Sequence, residues 1–395
     1  VRHHHETGNP PQPVQIGAAD RRYLRAARQQ QAFPIRPPLD PKEPPMRRQS
    51  FPALAVLGAA VLAFSLSHFA KAATENRISG PYTHENLSIY FVHGASAGGA
   101  VPLTLAEALG KDRVRVIETG DVNRIEIENL GEEEVFVQSG DIVKGGKQDR
   151  VLSVSLILPP RSGRIPIASF CVEQGRWSAR GREDVGKFSS AAAAMPSREA
   201  KIAMSAPEPA QGAGAANSFL PGDTGSRQQR VWRSVSSSQD RLSGSIGAPV
   251  ASRVSGSSLQ LSLENEKLRE AQKKYIESLT AAGENDQDIV GYVVAVNGKL
   301  SSADIYPSNG LFRKMWPKQL AAGATEAIGE RNAKSDAPPS IEAVAAFLAA
   351  AEEGKATQRE LPANISLQTL DSPNALVIET ARKEGAFVHR SYLAK

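Results

Sequence analysis

From Asn86 to Trp177 apolar and polar positions alternate with a period of two, segment after segment. Leu87, Ile89 and Phe91 interleave with Ser88, Tyr90 and Val92, Val114 and Val116 with Arg113 and Arg115, and Ile125 and Ile127 with Glu126 and Glu128. Val135-Phe136-Val137, between Gly131 and Gly140, continues the series, as does Val151 to Leu158, closed by Pro159-Pro160 and Gly163. Ile165 to Val172 is the expected antiparallel partner of that last run. Such a period puts successive side chains on opposite faces of a sheet, so the region predicts strands. Leu103 to Leu109 departs from it and predicts a short helix ending at Gly110.

Beyond residue 188 the pattern changes. Residues 189–261 carry Ala191 to Ala194, Pro207-Glu208-Pro209, Gly212 to Ala216 and Ser236 to Ser238, a composition expected of a flexible surface insertion. Within it Val231, Trp232, Val235 and Leu242 fall at helical spacing, which predicts a docked helix near 226–243. Leu268, Ala271, Tyr275, Ile276 and Leu279 form one apolar stripe, expected to be capped by Ser262 and stopped by Gly283. Ile289 to Val296 and Lys299 to Tyr306 flank Asn297-Gly298, the strongest hairpin signal in the chain. A helix carrying Leu311, Phe312, Met315 and Leu320 follows, which Pro317 should shorten or kink. Ser340 caps an alanine-rich helix, and 365–370, 375–380 and 386–393 read as a β-meander.

The sum is an α+β fold: a β-rich sandwich or rolled antiparallel sheet with several packed helices and a flexible insertion. The expected organisation is an upstream extension (1–45), a signal peptide (46–72), a β-rich half (73–188), the insertion (189–261), an α/β half (262–330) and a helix with the terminal meander (331–395).

Location is read from residues 46–72. Arg47 and Arg48 precede an apolar run, Phe51 to Leu66, and Ala70-Lys71-Ala72 offers small residues where a signal peptidase reads, with the cut expected after Ala72. A permanent helical anchor needs roughly 20 apolar residues, and Ser65, Ser67 and His68 interrupt this run. Export to the periplasm or outside the cell is therefore expected, with membrane attachment only if the leader stays uncleaved. The proline-rich, arginine-rich segment ahead of Met46 cannot bury enough apolar surface to fold, and translation is expected to start at Met46.

Removing the leader alters the charge argument. Residues 1–72 hold ten of the 47 Lys+Arg and four of the 42 Asp+Glu, which leaves 37 basic and 38 acidic residues and cancels the whole-chain net charge of +5. Nucleic acid is not an expected partner, since it calls for clustered basic residues on one face. With Cys171 as the one cysteine, no intramolecular disulfide can form.

Two polar clusters stand out. Gly140 to Arg150 joins two predicted strands, and its Gly145-Gly146 pair could turn backbone N–H groups toward an anion whose charge Lys144, Lys147 and Arg150 would neutralise. Phe170 to Trp177 adds Glu173 and Arg176. If the strands after the first loop and before the second pair as a hairpin, both emerge at one end and share a pocket rim. Lys144, Lys147, Asp149, Arg150, Glu173 and Arg176 are the candidate ligand-binding residues, with Asp149 or Glu173 as acid/base and Arg150 or Arg176 as anion holder if the site is hydrolytic. Cys171 reads as a small buried hydrophobe unless His93 or His389 approaches it as a base. His84, His93 and His389 lack zinc-site spacing, and no dinucleotide fingerprint or nucleophile elbow is present, so no metal or cofactor is expected.

The stretches Val135 to Leu152 and Phe170 to Trp177 resemble the ARG and Rhodanese-Phosphatase-superfamily-associated protein domain family, and Ile289 to Lys299 with Asp304, Asn309, Leu311 and Phe312 looks like a later part of the same domain. The resemblance implies association with ADP-ribosylglycohydrolase-like proteins and hence nucleotide or ADP-ribose-type ligands for some members; it carries no catalytic residues. The expected function is an exported binding or interaction domain with an anion-binding polar site, its partner a small anionic ligand or a protein. The alternatives are a hydrolase of a phosphorylated, nucleotide or ADP-ribose-like substrate, and a structural component of an envelope assembly.

Overall fold

The computed structural model describes residues 77–205, 224–331 and 336–395; the upstream extension, the leader and residues 206–223 of the expected insertion lie outside the described residues. The chain opens with β1 (Arg77–His84), β2 (Leu87–His93), β3 (Leu103–Thr104), α1 (Leu105–Gly110), β4 (Val114–Glu118) and β5 (Arg124–Asn129). It continues through β6 (Val135–Val137), β7 (Ile142–Gly145), β8 (Arg150–Leu152), β9 (Leu156–Leu158), β10 (Gly163–Cys171) and β11 (Phe188–Ser190). Helices α2 (Arg198–Ser205), α3 (Thr224–Ile246), α4 (Leu259–Leu263) and α5 (Glu266–Leu279) precede β12 (Ile289–Val296), β13 (Lys299–Ile305), α6 (Asn309–Gly329) and α7 (Ile341–Glu352). The meander β14 (Lys355–Leu361), β15 (Ile365–Asp371), β16 (Ala375–Arg382) and β17 (Phe387–Ala394) closes the chain.

Among the described residues the strands form three sheets: β1-β2-β12-β13-β17-β16-β15-β14, β11-β7-β8-β10-β5-β4 and β3-β6-β9. The fold is α+β. Its pairs are antiparallel except β3 with β6, which run parallel. Asn297 and Gly298 take φ of 51° and 77° between paired Val296 and Lys299, the two left-handed residues that a tight hairpin of the expected kind requires.

Every residue of β2 and of β12 is buried. Their alternation therefore sorts side chains between two cores rather than between core and water. Leu87, Ile89, Phe91, Tyr292 and Val294 face the larger core, where Phe312 and Trp316 of α6 stack at 5.9 Å between ring centroids. Tyr90, Val92, Val293 and Ala295 face a smaller one completed by Val344, Leu348 and Ala351 of α7.

Several expectations are corrected. The run from Val151 to Leu158 is two strands, not one: β8 pairs with the end of β10 (Ser169 to Cys171), whereas β9 pairs with β6. The change of partner falls between Ser153, whose N–H and Oγ still donate to the Ala168 carbonyl of β10 at 3.1 and 3.0 Å, and Ser155, whose Oγ lies 3.0 Å from His389 Nδ1. β10 instead makes its longer pairing with β5. Asn265, not Ser262, caps α5, its side chain accepting from the Leu268 N–H, while Ser258 caps the preceding short helix. α6 runs unbroken across Pro317, with Leu311, Phe312, Met315, Trp316 and Leu320 buried around it; packing outweighs the one backbone donor that proline lacks. The meander has a fourth strand, β14, whose exposed residues carried no alternation to read.

The described parts of 189–261 are packed rather than loose. Met195, Val231, Val235 and Leu242 all belong to the larger core, and α3 extends the expected helix by two or three residues at each end. Among the described residues no helix is long and apolar enough to cross a membrane. Leu242→Ala should cost about 2–5 kcal/mol in urea unfolding; a loss near zero would show that α3 is not part of the cooperative core.

Candidate functional site

Gly145 and Gly146 end β7 in left-handed conformations, φ 133° and 58°. Their freedom serves close approach: a Cβ on Gly145 would lie 2.2 Å from the Lys187 carbonyl oxygen, and one on Gly146 2.2 Å from the Phe188 ring. Nor do their N–H groups await an external anion. Gly145 N–H donates to Asp149 Oδ1 at 3.0 Å and Gly146 N–H to the Lys187 carbonyl at 3.3 Å. The anion that this turn holds is its own aspartate.

Asp149 is the centre of a buried charge network. Arg180 Nη2 donates to Asp149 Oδ2 and, at 2.9 Å, to Glu173 Oε2. Ser258 Oγ donates to Asp149 Oδ2 at 3.2 Å. Arg176 Nε lies 2.6 Å from Glu173 Oε2, a charge contact out of line for a hydrogen bond, and its Nη2 3.5 Å from Asp149 Oδ1. Arg150, fully buried, donates to Gln148 Oε1 at 3.1 Å and reaches Glu118 Oε1 at 3.4 Å. Three guanidinium groups thus meet three carboxylates.

Asp149, Glu173 and Arg176 are brought together as the sequence predicts, with Arg150 beneath them. Lys144 leaves the group for Glu264, 2.9 Å away. Lys147 stands at the surface, its Nζ 5.3 Å from the ring centroid of Trp177, with the Arg150 guanidinium 5.4 Å from the same ring. Sequence reasoning missed Arg180 and Ser258, which come from segments with no periodicity to flag them. It also missed the cost of burying Asp149, whose only sequence signal is a carboxylate next to an arginine at the start of a β-branched run.

Cys171 is fully buried, its Sγ 2.6 Å from Gln148 Oε1 and 3.5 Å from the Val122 carbonyl. Burial pushes its thiol up to about 11, and the charged groups acting on it are Arg150, Glu118 and Glu173 rather than a histidine. It is a packed, inert thiol. His93, Asp286 and Asp288 each bring a ligand atom within 4.8 Å of the others. Arg77 Nη2, 2.9 Å from His93 Nδ1 and 3.3 Å from Asp288 Oδ2, already supplies the positive charge there.

The sequence pattern of the ARG and Rhodanese-Phosphatase-superfamily-associated Protein domain matches residues 75–393. The chain belongs to that family. No curated protein and no solved structure gives a significant match. The family region takes in both loops of the charge network, the eight-stranded sheet and the helices on its two faces, so the site is part of the family domain and not an addition to it.

Burial drives the Asp149 carboxyl up, with Arg180 opposing it and Glu173 adding to it. Burial also pushes Glu173 up, but hydrogen bonds from Ser255 and Arg180 and the charge of Arg176 outweigh it and leave Glu173 below the ordinary range. The network is therefore a structural neutralisation of buried charge, and removing one member strands its partner. Asp149→Ala should cost roughly 3–5 kcal/mol by removing the buried carboxylate to which Arg180 and the Gly145 N–H donate, whereas Lys147→Ala should stay within about 0.5 kcal/mol, both read from chemical denaturation.

A further carboxylate, Glu326 on α6, lines a cleft with Glu199, Arg241 and Glu330 and accepts from Ser301 Oγ at 2.7 Å. Burial pushes it up from 4.5 to about 7, against the Ser301 hydrogen bond and the charge of Lys201. A folded-state value above the unfolded one means that folding takes up a proton. That contribution is complete below pH 4.5 and lost as pH rises through 7. Glu326→Gln should flatten the fall in melting temperature across this interval, and an unchanged slope would assign the titration elsewhere.

Proposed function

We propose that this domain is a binding module for a small anionic ligand with a planar face, held at the surface formed by the 144–150 and 173–187 loops. The observation that carries the reading is Trp177, 40% exposed, with Lys147 and Arg150 against its ring. A stacking platform beside an ammonium group suits a flat, negatively charged molecule. Arg176 and Arg180, spent on Asp149 and Glu173, lock the two loops to each other and hold the platform in place. The leader expected at residues 46–72 supports export, to the periplasm or beyond, as the setting for this binding.

A hydrolase built on Asp149 or Glu173 has less support. A general acid or base must be free to exchange its proton with a reacting group, and both carboxylates are held by the guanidinium groups of Arg176 and Arg180.

Titrations following tryptophan fluorescence with adenosine monophosphate and with inorganic pyrophosphate test the reading. Trp177→Ala should weaken the nucleotide by about tenfold, the value of one stacked base, and leave pyrophosphate nearly unaffected by calorimetry. Lys147→Ala should weaken both. Absence of binding by the unaltered chain at millimolar ligand, or binding indifferent to both substitutions, would retire this surface.

A further inference from the structure

Three side chains from separate segments converge on a second polar cleft, where β9 of the three-stranded sheet meets β17 of the eight-stranded one. Ser155 immediately precedes β9, Asp304 lies in β13 and His389 in β17. Ser155 Oγ is 3.0 Å from His389 Nδ1, and His389 Nε2 is 3.2 Å from Asp304 Oδ1. The imidazole thus has a hydroxyl at one nitrogen and a carboxylate at the other. All three residues are more than nine-tenths buried. They line a narrow cleft together with Gln138, Lys201 and Thr380.

The surroundings favour one protonation state. Asp304 also accepts from the Tyr292 hydroxyl. Burial pushes its carboxyl up, but the His389 contact, the charge of Lys201 and the Tyr292 hydrogen bond bring it down to about 2. An ionised Asp304 favours the tautomer with the proton on Nε2, which leaves the Nδ1 lone pair facing Ser155. Ser139 N–H donates to Ser155 Oγ at 2.9 Å, so the hydroxyl's own proton is free to point at the ring. The Nε2–H is off the line to the carboxylate, as catalytic contacts in unliganded sites often are. Thr380 Oγ1 is buried in the same cleft with no hydrogen-bond partner, and Lys201 adds a positive charge at its wall.

We propose that Ser155, His389 and Asp304 form a nucleophilic relay that hydrolyses a small carboxylic ester carrying a negative charge. Ser155 Oγ attacks the carbonyl carbon while its proton passes to His389 Nδ1. The ester C–O bond then breaks, and the imidazolium returns that proton to the departing alkoxide as the alcohol leaves. Water then attacks the acyl carbon as the same Nδ1 takes one of its protons, the acyl–Oγ bond breaks, and the imidazolium returns that proton to Ser155 Oγ as the acid leaves. Asp304 stabilises the imidazolium in both halves. Lys201 and the Thr380 hydroxyl are the groups placed to meet negative charge on the substrate. The relay is separate from the Trp177 surface, and neither depends on the other.

A fluorophosphonate probe decides the matter on the full chain. Its phosphorus should be captured by Ser155 Oγ with loss of fluoride, giving one adduct by intact mass and a modified peptide containing Ser155. Labelling should fall about 100-fold in His389→Gln, the contribution of one general base, and vanish in Ser155→Ala. An unaltered chain that stays unlabelled, or is labelled elsewhere, overturns the proposal without recourse to any variant. Ser155 labelling that is indifferent to His389→Gln in a folded variant overturns the relay.

Discussion

The constraint on which the architecture turns is that β2 and β12 have no residue facing water. A strand pair buried on both sides cannot be stable until both sides are covered, and each cover comes from a different part of the chain. On one face α6 supplies Phe312, Met315 and Trp316, with α3 and α5 packed into the same core; on the other α7 supplies Val344, Leu348 and Ala351. The described parts of the segment between β11 and α5, which by composition resembles a spacer, add Met195, Val231, Val235 and Leu242 to that first face.

A second constraint operates in the loops. Glycines next to lysines and an arginine look like a cradle for an outside anion, yet the turn supplies its own in Asp149. Burying that carboxylate requires guanidinium partners, and Arg176 and Arg180 provide them together with the link to Glu173. Positive charge that composition places at the site is thereby consumed inside it. Beside the network stands an indole with an ammonium group against its ring, a chemistry of stacking as well as of charge.

Much of the fold was legible in the chain because period-two runs, the Asn297-Gly298 turn and the Ser340 cap are local signals with local causes. The errors arose where tertiary partners decide. Ser155 lies against His389 of another sheet, which no local rule anticipates, at the point where an apparently continuous strand divides. Pro317 does not interrupt α6 because its neighbours are held by the core, and β14 has too little burial to alternate. At the site, proximity of the two loops was inferable from strand pairing. Arg180 was not, since it lies in an irregular stretch whose position depends on the charges that it satisfies. The cluster of Ser155, Asp304 and His389 is spread over 235 positions of sequence and assembles only through sheet order.

The strand β10 pairs with β5 along its first part and with β8 along its last, so two neighbours fix its register at once. Sliding by a single residue would invert which face each of its side chains presents in both pairings. The segment that follows it is consequently delivered at a fixed height, as from a rail clamped at two points. The recognition proposed at that end would then need little rearrangement, spending its free energy on contact and not on ordering the receptor.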